Sequence, residues 1–190
     1  CPLSVVAKTD IHGGIFRIRK VVAPKIEDPW GRRLDFTSMP PEKVSGFLND
    51  PRPAVRENAL EAMIEKGETS IDVLRKILIS SSEEHIRTAA VFALYRINTP
   101  PSIDAVRAGL EDKSVVVRTA TARVVGMAKD RKAVDRLIEL VMKDSASVRR
   151  QAATALGQIG DDRATGALLE ASANPNDRFV EHAIIYSLIT

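Results

Sequence analysis

The chain has 190 residues, of which 44% are hydrophobic, 28% charged and only 4% aromatic, a balance that supports a core of closely packed helices and excludes a chain disordered by composition. The net charge of +3 is carried by residues 1–40, and residues 41–190 hold equal numbers of basic and acidic side chains. A neutral region has no net field to attract phosphates, which argues against a nucleic-acid clamp.

The chain begins with its only cysteine, so no internal disulfide bond can form. Three interpretations of Cys1 stay open: a native residue, the lipidated residue of a bacterial lipoprotein, or an artificial first residue. Because the first residue is not methionine, we expect a fragment or a processed form. No apolar run approaches the roughly 20 residues that span a bilayer, so we expect no membrane insertion by this segment.

Residues 1–20 predict a β-hairpin. Residues 3–7 favour a strand, residues 15–19 alternate apolar and charged side chains, and His12 with two glycines supplies the turn between them. Residues 21–40 predict a linker, since proline-bearing clusters interrupt any regular helix. We expect Trp30 and Phe36 to anchor this linker to the first repeat.

Residues 41–190 predict about four helical repeats and a terminal helix. A Val/Ile-Arg pair recurs every 31 residues, and the apolar positions after each pair form a wide helical stripe. A short helix at 42–48 comes first, and each repeat then supplies a helix A and a helix B. The predicted A helices are 53–66, 83–97, 114–128, 145–159 and a terminal 177–189; the B helices are 69–80, 101–111, 131–143 and 162–173.

Residue types at the helix ends support these boundaries. We expect Asp50, Asp112 and Asp144 to be N-caps, because aspartate before a helix accepts hydrogen bonds from its first backbone N–H groups. Glycine and asparagine near the corner between helices A and B favour tight or left-handed backbone. These corner residues are Asn98, Gly126 and Gly160.

The sequence AATALGQIGDDRA over residues 152–164, with LLEA over 168–171, resembles the short bacterial HEAT repeat of the PBS-lyase-like type. DPRPAVR over 50–56 and DKSVVVR over 112–118 fit the loop and the start of helix A of that repeat. The resemblance covers about residues 48–190 and implies an all-α fold, an α-α superhelix. It says little about function, since such repeats occur in lyases, oxidoreductase subunits, regulators and scaffolds.

A narrower resemblance involves GGIFRI over residues 13–18, DPWGR over 28–32 and LDF over 34–36. This order, followed by HEAT repeats, is similar to bacterial proteins described as membrane-bound dehydrogenases of the sugar type. It implies that residues 1–20 are the remnant of an upstream β-propeller and that the protein is extracytoplasmic, either periplasmic or membrane-associated. A Cys-x-x-Cys-His haem motif is absent from the sequence, so we expect no cofactor in this chain.

The recurrent arginines invite two interpretations. A structural ladder would join each arginine to a capping aspartate or to loop carbonyls of its own or the adjacent repeat, while an anion-binding row is the alternative. We favour the ladder, although serines replace the aspartate in the second repeat. Its members are Arg56, Arg87, Arg118, Arg149, Asp50, Asp112 and Asp144.

Nothing in the sequence predicts a catalytic or metal site. His12, His85 and His182 lack a second ligand at metal-binding spacing, and we expect surface or capping roles for them. The acidic pairs Glu83-Glu84 and Asp161-Asp162 stand at helix starts, where the helix dipole favours them.

We therefore expect a non-catalytic scaffold that binds a protein partner or a neighbouring domain of a larger bacterial dehydrogenase. A lyase-like HEAT enzyme and a nucleic-acid-binding HEAT protein are the alternatives. The expected interaction face is the concave surface lined by the B helices, including Arg75, Lys76, Arg107, Arg136 and Glu139. The terminal helix should also expose an apolar face that carries Ile184, Ile185 and Leu188.

Overall fold

The computed structural model describes residues 26–174 and 177–189. The predicted β-hairpin over residues 1–20 and the first part of the predicted linker lie outside these residues, as do Cys1 and His12. Within the described ranges every regular element is a helix, in agreement with the predicted all-α superhelix.

In the described ranges ten α-helices follow one another. They are α1 (Pro41–Ser45), α2 (Pro53–Glu65), α3 (Ile71–Ser80), α4 (Glu84–Ile97), α5 (Pro100–Val106), α6 (Val115–Met127), α7 (Val134–Lys143), α8 (Ala146–Ile159), α9 (Arg163–Ala173) and α10 (Arg178–Ile189). Short 3-10 turns extend the first helix and the B helices, at Gly46–Asn49, Gly67–Ser70, Arg107–Glu111 and Arg131–Ala133. Among the described helices, none is long and apolar enough to cross a membrane.

The even-numbered helices from α2 to α10 are the A helices, and each contacts the next A helix in the row. The odd-numbered helices from α3 to α9 are the B helices and form the second layer. Small side chains such as Ala59, Ala90 and Ala152 are fully buried and let neighbouring helices approach closely. Larger side chains such as Leu94 and Leu137 fill the space between the layers, so the core runs along the whole array.

The segment before α1 packs on the first repeat through Phe36, which is buried and meets the Phe47 ring edge-to-face at 5.2 Å. The predicted anchoring by Trp30 is wrong, since its side chain is 62% exposed. Its backbone makes the contact instead, because the Trp30 carbonyl accepts a 3.2 Å hydrogen bond from Asn58. Gly31 has φ +66°, and a Cβ there would lie 2.7 Å from Val55 Cγ2, so this close approach requires glycine.

Two of the three predicted corner residues take the left-handed backbone, Asn98 with φ 54° and Gly160 with φ 63°. The prediction for Gly126 is wrong, because Gly126 lies inside α6 and Lys129 takes the left-handed conformation with φ 51°. Gly126 instead gives α8 room to approach, since a Cβ there would lie 2.7 Å from Ala155 Cα.

The apolar face predicted on the terminal helix is only partly exposed. Ile184 is fully buried against the preceding repeat, so that part of the prediction is wrong. Ile185 is 50% exposed and Leu188 is half-buried. In earlier A helices the positions equivalent to Leu188 are Met63, Leu94, Val125 and Leu156, which are almost fully buried.

Candidate functional site

The recurrent arginines bridge consecutive repeats. Arg87 donates two hydrogen bonds to the Asp112 carboxylate, at 2.7 and 3.0 Å, and two more to the carbonyls of Ser81 and Ser82. Arg118 binds the carboxylate of Asp144 in the same bidentate way, with both distances 2.7 Å. Each guanidinium therefore joins the loop before its own helix A to the loop of the next repeat.

The outer two arginines also contact loop carbonyls. Arg56 donates to the carbonyl of Asp50 at 2.8 Å, while the Asp50 carboxylate pairs with Arg52. Arg149 donates from Nε to the carbonyl of Val141 at 3.0 Å. The most buried of the four recurrent arginines is Arg87, which is only 2% exposed. It belongs to the second repeat, in which serines replace the aspartate of the loop.

The three aspartates do not act as N-caps, so that expectation is wrong. Arg52, Ser114 and Ser145 occupy the cap positions, and the Ser114 hydroxyl accepts from the N–H groups of Val116 and Val117. The aspartates lie just before the caps and accept from nearby loop N–H groups. The Asp112 carboxylate, for example, accepts from Ser114 N–H at 2.7 Å while it holds Arg87.

Burial and hydrogen bonding shift the pKa values of these carboxyl groups in opposite directions. Burial alone would raise the pKa of Asp112, but the hydrogen bonds from Arg87 and the Ser114 N–H lower the pKa below its usual value. Asp144 shows the same balance, and bonds from Arg118 and Ser145 lower its pKa. The Arg52 side chain lowers the pKa of Asp50 to about 2. All three groups are therefore carboxylates at neutral pH.

Acid is expected to destabilise the array through these groups. Because their pKa values are lower in the folded state than the unfolded value of about 3.9, the stability they contribute is complete above that value. It is lost as the pH falls through the folded pKa values, for Asp50 between about pH 4 and about pH 2. Urea unfolding at stepwise lower pH measures the loss. Asp112→Asn should flatten the profile, and a profile parallel to that of the wild type would contradict this assignment.

The B-helix face is largely neutralised by its own ion pairs. Arg107 contacts Asp130 at 2.8 Å as well as Asp104, and Arg136 contacts Glu111 at 2.7 Å as well as Glu139. Of the residues predicted to face solvent there, Arg75, Lys76 and Glu139 are exposed, whereas Arg107 and Arg136 are half-buried. The predicted interaction face is therefore broken up by contacts between repeats.

The histidines in the described part of the chain are both exposed. His85 Nδ1 lies 3.9 Å from Glu83, and the ring of His182 stacks on Tyr186 with 6.3 Å between centroids. No group of three or more His, Cys, Asp or Glu side chains that could hold a metal ion occurs among the described residues. Among the predicted acidic pairs, Glu84 lies in the first turn of α4 and accepts from Ser114, and Asp161 pairs with Arg163 at 2.9 Å.

The best candidate site is a groove on the outer surface of α8 and α10, which we call the α8–α10 groove. It consists of two adjoining hollows of about 420 and 300 Å³ that share Thr154 and Tyr186. The first hollow is lined by Gly126, Met127, Lys129, Thr154, Gly157, Gln158, Tyr186 and Ser187. The second is lined by Arg150, Gln151, Thr154, Phe179, His182, Ala183 and Tyr186.

Small residues form the floor of the groove. A Cβ on Gly157 would lie 2.9 Å from Ser187 Cα, so the two helix backbones are nearly in contact there. The Ser187 hydroxyl lies 2.7 Å from the carbonyl oxygens of both Ala153 and Ala183, and its one hydrogen is shared between these acceptors, which ties α10 to α8. This tight contact fixes the spacing of the larger side chains on either side.

The walls of the groove combine cationic and aromatic groups. Lys129 and Arg150 are exposed cations, and Phe179 and Tyr186 expose more than half of their surface. Among the residues that the structure describes, no Asp or Glu side chain lines either hollow. The groove can bind anionic groups and apolar side chains, and the imidazole of His182 is the kind of group that most often transfers protons in enzymes.

Sequence reasoning missed this groove. The sequence does contain a signal for the groove. Arg150 and His182 occupy equivalent positions of consecutive A helices, as do Thr154 and Tyr186. The concave B-helix face was selected instead because solenoids generally bind there. Only the structure shows that α8 and α10 approach closely enough to form a groove on the outer face.

Comparison with protein families identifies the repeats. The family model of HEAT repeats matches residues 42–123 and 103–189, most of the described chain. The chain therefore belongs to the HEAT-repeat family.

The curated relatives include enzymes. Deoxyhypusine hydroxylase of Aspergillus niger is 31% identical over 157 residues, which cover 77% of this chain and 44% of that protein. The rat deoxyhypusine hydroxylase is 28% identical over 111 residues, 57% of this chain and 37% of that protein. The chain thus spans less than half the length of these relatives.

Solved structures share the fold. Human deoxyhypusine hydroxylase in complex with glycerol matches with a TM-score of 0.57 and 23% identity, covering 78% of this chain and 61% of that chain. A chain of the CpcE–CpcF complex of the phycocyanin lyase from Nostoc sp. PCC7120 matches with a TM-score of 0.64 and 18% identity, covering 77% and 96%. At these identities the likeness shows the fold alone.

Two functional expectations are corrected by these relatives. The predictions that this chain is a non-catalytic scaffold and not an enzyme are wrong, since the curated relatives are named as hydroxylases. The resemblance to bacterial membrane-bound dehydrogenases is likewise not supported, because the matches are to deoxyhypusine hydroxylases and a phycocyanin lyase fold. The physical reason is that those of the quoted residues that lie in the described ranges form turns and helix contacts, which enzymes and scaffolds of this fold have in common.

Proposed function

We propose that this chain is part of an enzyme that modifies a side chain of a protein substrate, and that the α8–α10 groove binds the substrate segment. The observation that carries the proposal is the 31% identity, over 77% of this chain, with an enzyme named for the hydroxylation of deoxyhypusine, an amino acid. The shape of the groove favours a peptide segment of the substrate as its ligand, because the two hollows adjoin along the helices.

Hydroxylation of an aliphatic carbon generally requires activated oxygen, for which non-haem iron enzymes use two histidines and a carboxylate. The described residues do not fit such a centre, since His85 and His182 lie on α4 and α10 with α6 and α8 between them. No group of three or more His, Cys, Asp or Glu side chains placed to hold a metal ion occurs in the described ranges. We therefore derive no oxygen chemistry from these residues and assign them substrate binding and positioning.

Within the groove, the aromatic faces of Phe179 and Tyr186 would hold the apolar part of the segment. Exposed aromatic side chains beside cations are typical of the residues that dominate binding energy at interfaces. His182 stands between them on α10 and could exchange a proton with a bound side chain.

Blocking the groove tests the proposal. Thr154→Trp would place an indole where the two hollows meet, and we expect it to weaken binding of a labelled deoxyhypusine-bearing peptide by about tenfold or more. Thr88→Trp on α4 is the matched control, because both threonines are half-buried and donate to the carbonyl four residues earlier at 3.0 Å. Fluorescence anisotropy measures the binding.

Mass spectrometry of the same samples reports on the reaction. Addition of one oxygen atom to the deoxyhypusine peptide, and not to its lysine counterpart, would extend the proposal to the reaction named for the curated relatives. Binding that is absent, or that both tryptophan variants weaken equally, would contradict a substrate-binding role for the groove.

A further inference from the structure

We propose that Ser81 is a phosphorylation site whose phosphate completes the arginine ladder, the row of recurrent arginines and their aspartate partners, between the first and second repeats. The inference lies outside the α8–α10 groove and goes beyond the proposed function. Three observations carry it: the position of Ser81 in the repeat, the contacts of Arg56, and the acidic residues that follow Ser81.

Ser81 occupies the loop position at which the next repeat has an aspartate. It lies six residues before the recurrent arginine of its own repeat, as Asp112 does in the next one. The backbones match, with φ −66° and ψ 136° at Ser81 and φ −62° and ψ 143° at Asp112. Ser81 Oγ accepts from the Glu83 N–H at 3.3 Å, as the Asp112 carboxylate accepts from the Ser114 N–H. The Ser81 hydroxyl therefore takes the place of a carboxylate.

Arg56 is the arginine whose partner position Ser81 occupies. Arg87 binds Asp112, which follows it by 25 residues, and Ser81 follows Arg56 by the same number. In the described ranges Arg56 donates to the carbonyl of Asp50 at 2.8 Å and lies within ion-pair distance of no carboxylate. A phosphate on Ser81 would give the remaining N–H groups of Arg56 the acceptor that Asp112 gives to Arg87.

Burial distinguishes Arg56 from cations that merely lack a partner. Arg75 on the B-helix face is exposed, so an anion beside it is well screened by water and salt. Arg56 is half-buried, and an ion pair there is screened less. A phosphate paired with Arg56 would therefore hold the first two repeats together in the way that the aspartates hold the later ones.

The loop between α3 and α4 is accessible to a kinase. Ser82, Glu83 and Glu84 are exposed, and Ser81 itself is half-buried. The two glutamates follow Ser81 at the second and third positions, which suits a kinase that prefers acidic residues after the phosphorylated serine. Both glutamates would repel the phosphate, but their exposure weakens this repulsion, and the N-terminus of α4 favours an anion.

The modification requires ATP as the phosphoryl donor. The Ser81 oxygen forms a bond to the γ-phosphorus, the bond between that phosphorus and its bridging oxygen breaks, and ADP leaves. The hydroxyl proton passes to the catalytic base of the kinase. The product carries a charge of about −1.5 to −2 at neutral pH, where an aspartate would carry −1.

A kinase assay tests the modification. The folded chain is incubated with ATP and a protein kinase of acidic specificity, and mass spectrometry of its peptides locates the phosphate. We expect phosphate on Ser81, and Ser81→Ala should remove most of the incorporation, whereas Ser82→Ala should leave it within about twofold. Phosphate found only on other residues, or none at all, would overturn the proposal.

Urea denaturation of the phosphorylated protein tests the pairing with Arg56. We expect phosphorylation to lower the equilibrium constant of unfolding by about fivefold or more, and by less than about twofold in Arg56→Gln. Ser81→Asp should act in the same direction. Ser82→Asp is the matched control, because it makes the same charge change one residue later and should show no dependence on Arg56.

Two further results would contradict the inference. Equal stabilisation of the wild type and Arg56→Gln would assign the effect to the helix dipole, which does not need Arg56. Inorganic phosphate that stabilises the unmodified protein as much as phosphorylation does would indicate a site for a free anion instead. Circular dichroism checks that Arg56→Gln folds, and Arg56→Lys, which keeps the charge without the planar fork, is the second variant and should retain only part of the stabilisation.

Discussion

Replacing Arg87 by alanine is expected to lower the free energy of unfolding by about 3–5 kcal/mol, because it removes one partner of a buried ion pair. Arg87 is 2% exposed and donates to both oxygens of Asp112 and to two loop carbonyls. The alanine variant leaves the carboxylate and the carbonyls of Ser81 and Ser82 without these donors in a site that water reaches poorly.

Urea denaturation followed by circular dichroism measures the loss. Arg96→Ala is the control, because Arg96 also makes a bidentate contact with a carboxylate, that of Glu61, but both side chains are about half exposed. Such a surface pair contributes only about 0–1 kcal/mol. The double variant Arg87→Ala/Asp112→Ala should recover part of the loss. Equal effects of Arg87→Ala and Arg96→Ala would show that burial does not decide the contribution.

The arginine contacts show how far sequence reasoning reaches. Periodicity and the recurring Val/Ile-Arg pair predict the helices, because those signals are local to each repeat. The partners of the arginines are not local. Asp112 lies 25 residues after Arg87, in the next repeat, and serines replace the aspartate of the second repeat's own loop. The spacing of the pair within one repeat could not assign that carboxylate.

The α8–α10 groove could not be predicted from the sequence, because its parts also come from different repeats. Its residues come from α6, α8 and α10 and meet only because Gly126 and Gly157 let the helix backbones approach. From the sequence we expect Gly126 at the corner between helices A and B, since glycine near a helix end commonly takes left-handed backbone. The structure gives that conformation to Lys129 and leaves Gly126 as a contact between helices.

Function was the least predictable property, because most conspicuous residues of the chain maintain the repeat. Most alanines of the A helices are buried, and many of the charged side chains pair between repeats. What distinguishes one HEAT protein from another lies at the few outer positions that the repeat does not constrain. In this chain Arg150, Phe179 and His182 occupy such positions, which is why the proposed function involves them.

Gly126→Ala is expected to lower the free energy of unfolding by about 1–3 kcal/mol, the cost of forcing an extra group into a close contact. The added Cβ would lie 2.7 Å from Ala155 Cα and 2.8 Å from Ala155 Cβ, so α6 and α8 would have to move apart. Gly166→Ala is the matched control on α9, where a Cβ meets no atom within 4 Å. There alanine should raise the free energy of unfolding by about 0.4–1 kcal/mol, because it restricts the unfolded chain and favours a helix.

Urea denaturation measures the change in the free energy of unfolding of both variants. A decrease for Gly126→Ala and an increase for Gly166→Ala would show that Gly126 is required for helix contact and not for turn formation. Gly126 also lines the first hollow of the groove, beside Met127 and Lys129. Because a shift between α6 and α8 moves Lys129 relative to Tyr186, the Gly126→Ala variant should also bind the labelled deoxyhypusine-bearing peptide more weakly while Gly166→Ala binds it normally. A destabilised Gly126→Ala variant with unchanged peptide affinity would place the ligand elsewhere, since the groove walls depend on that helix contact.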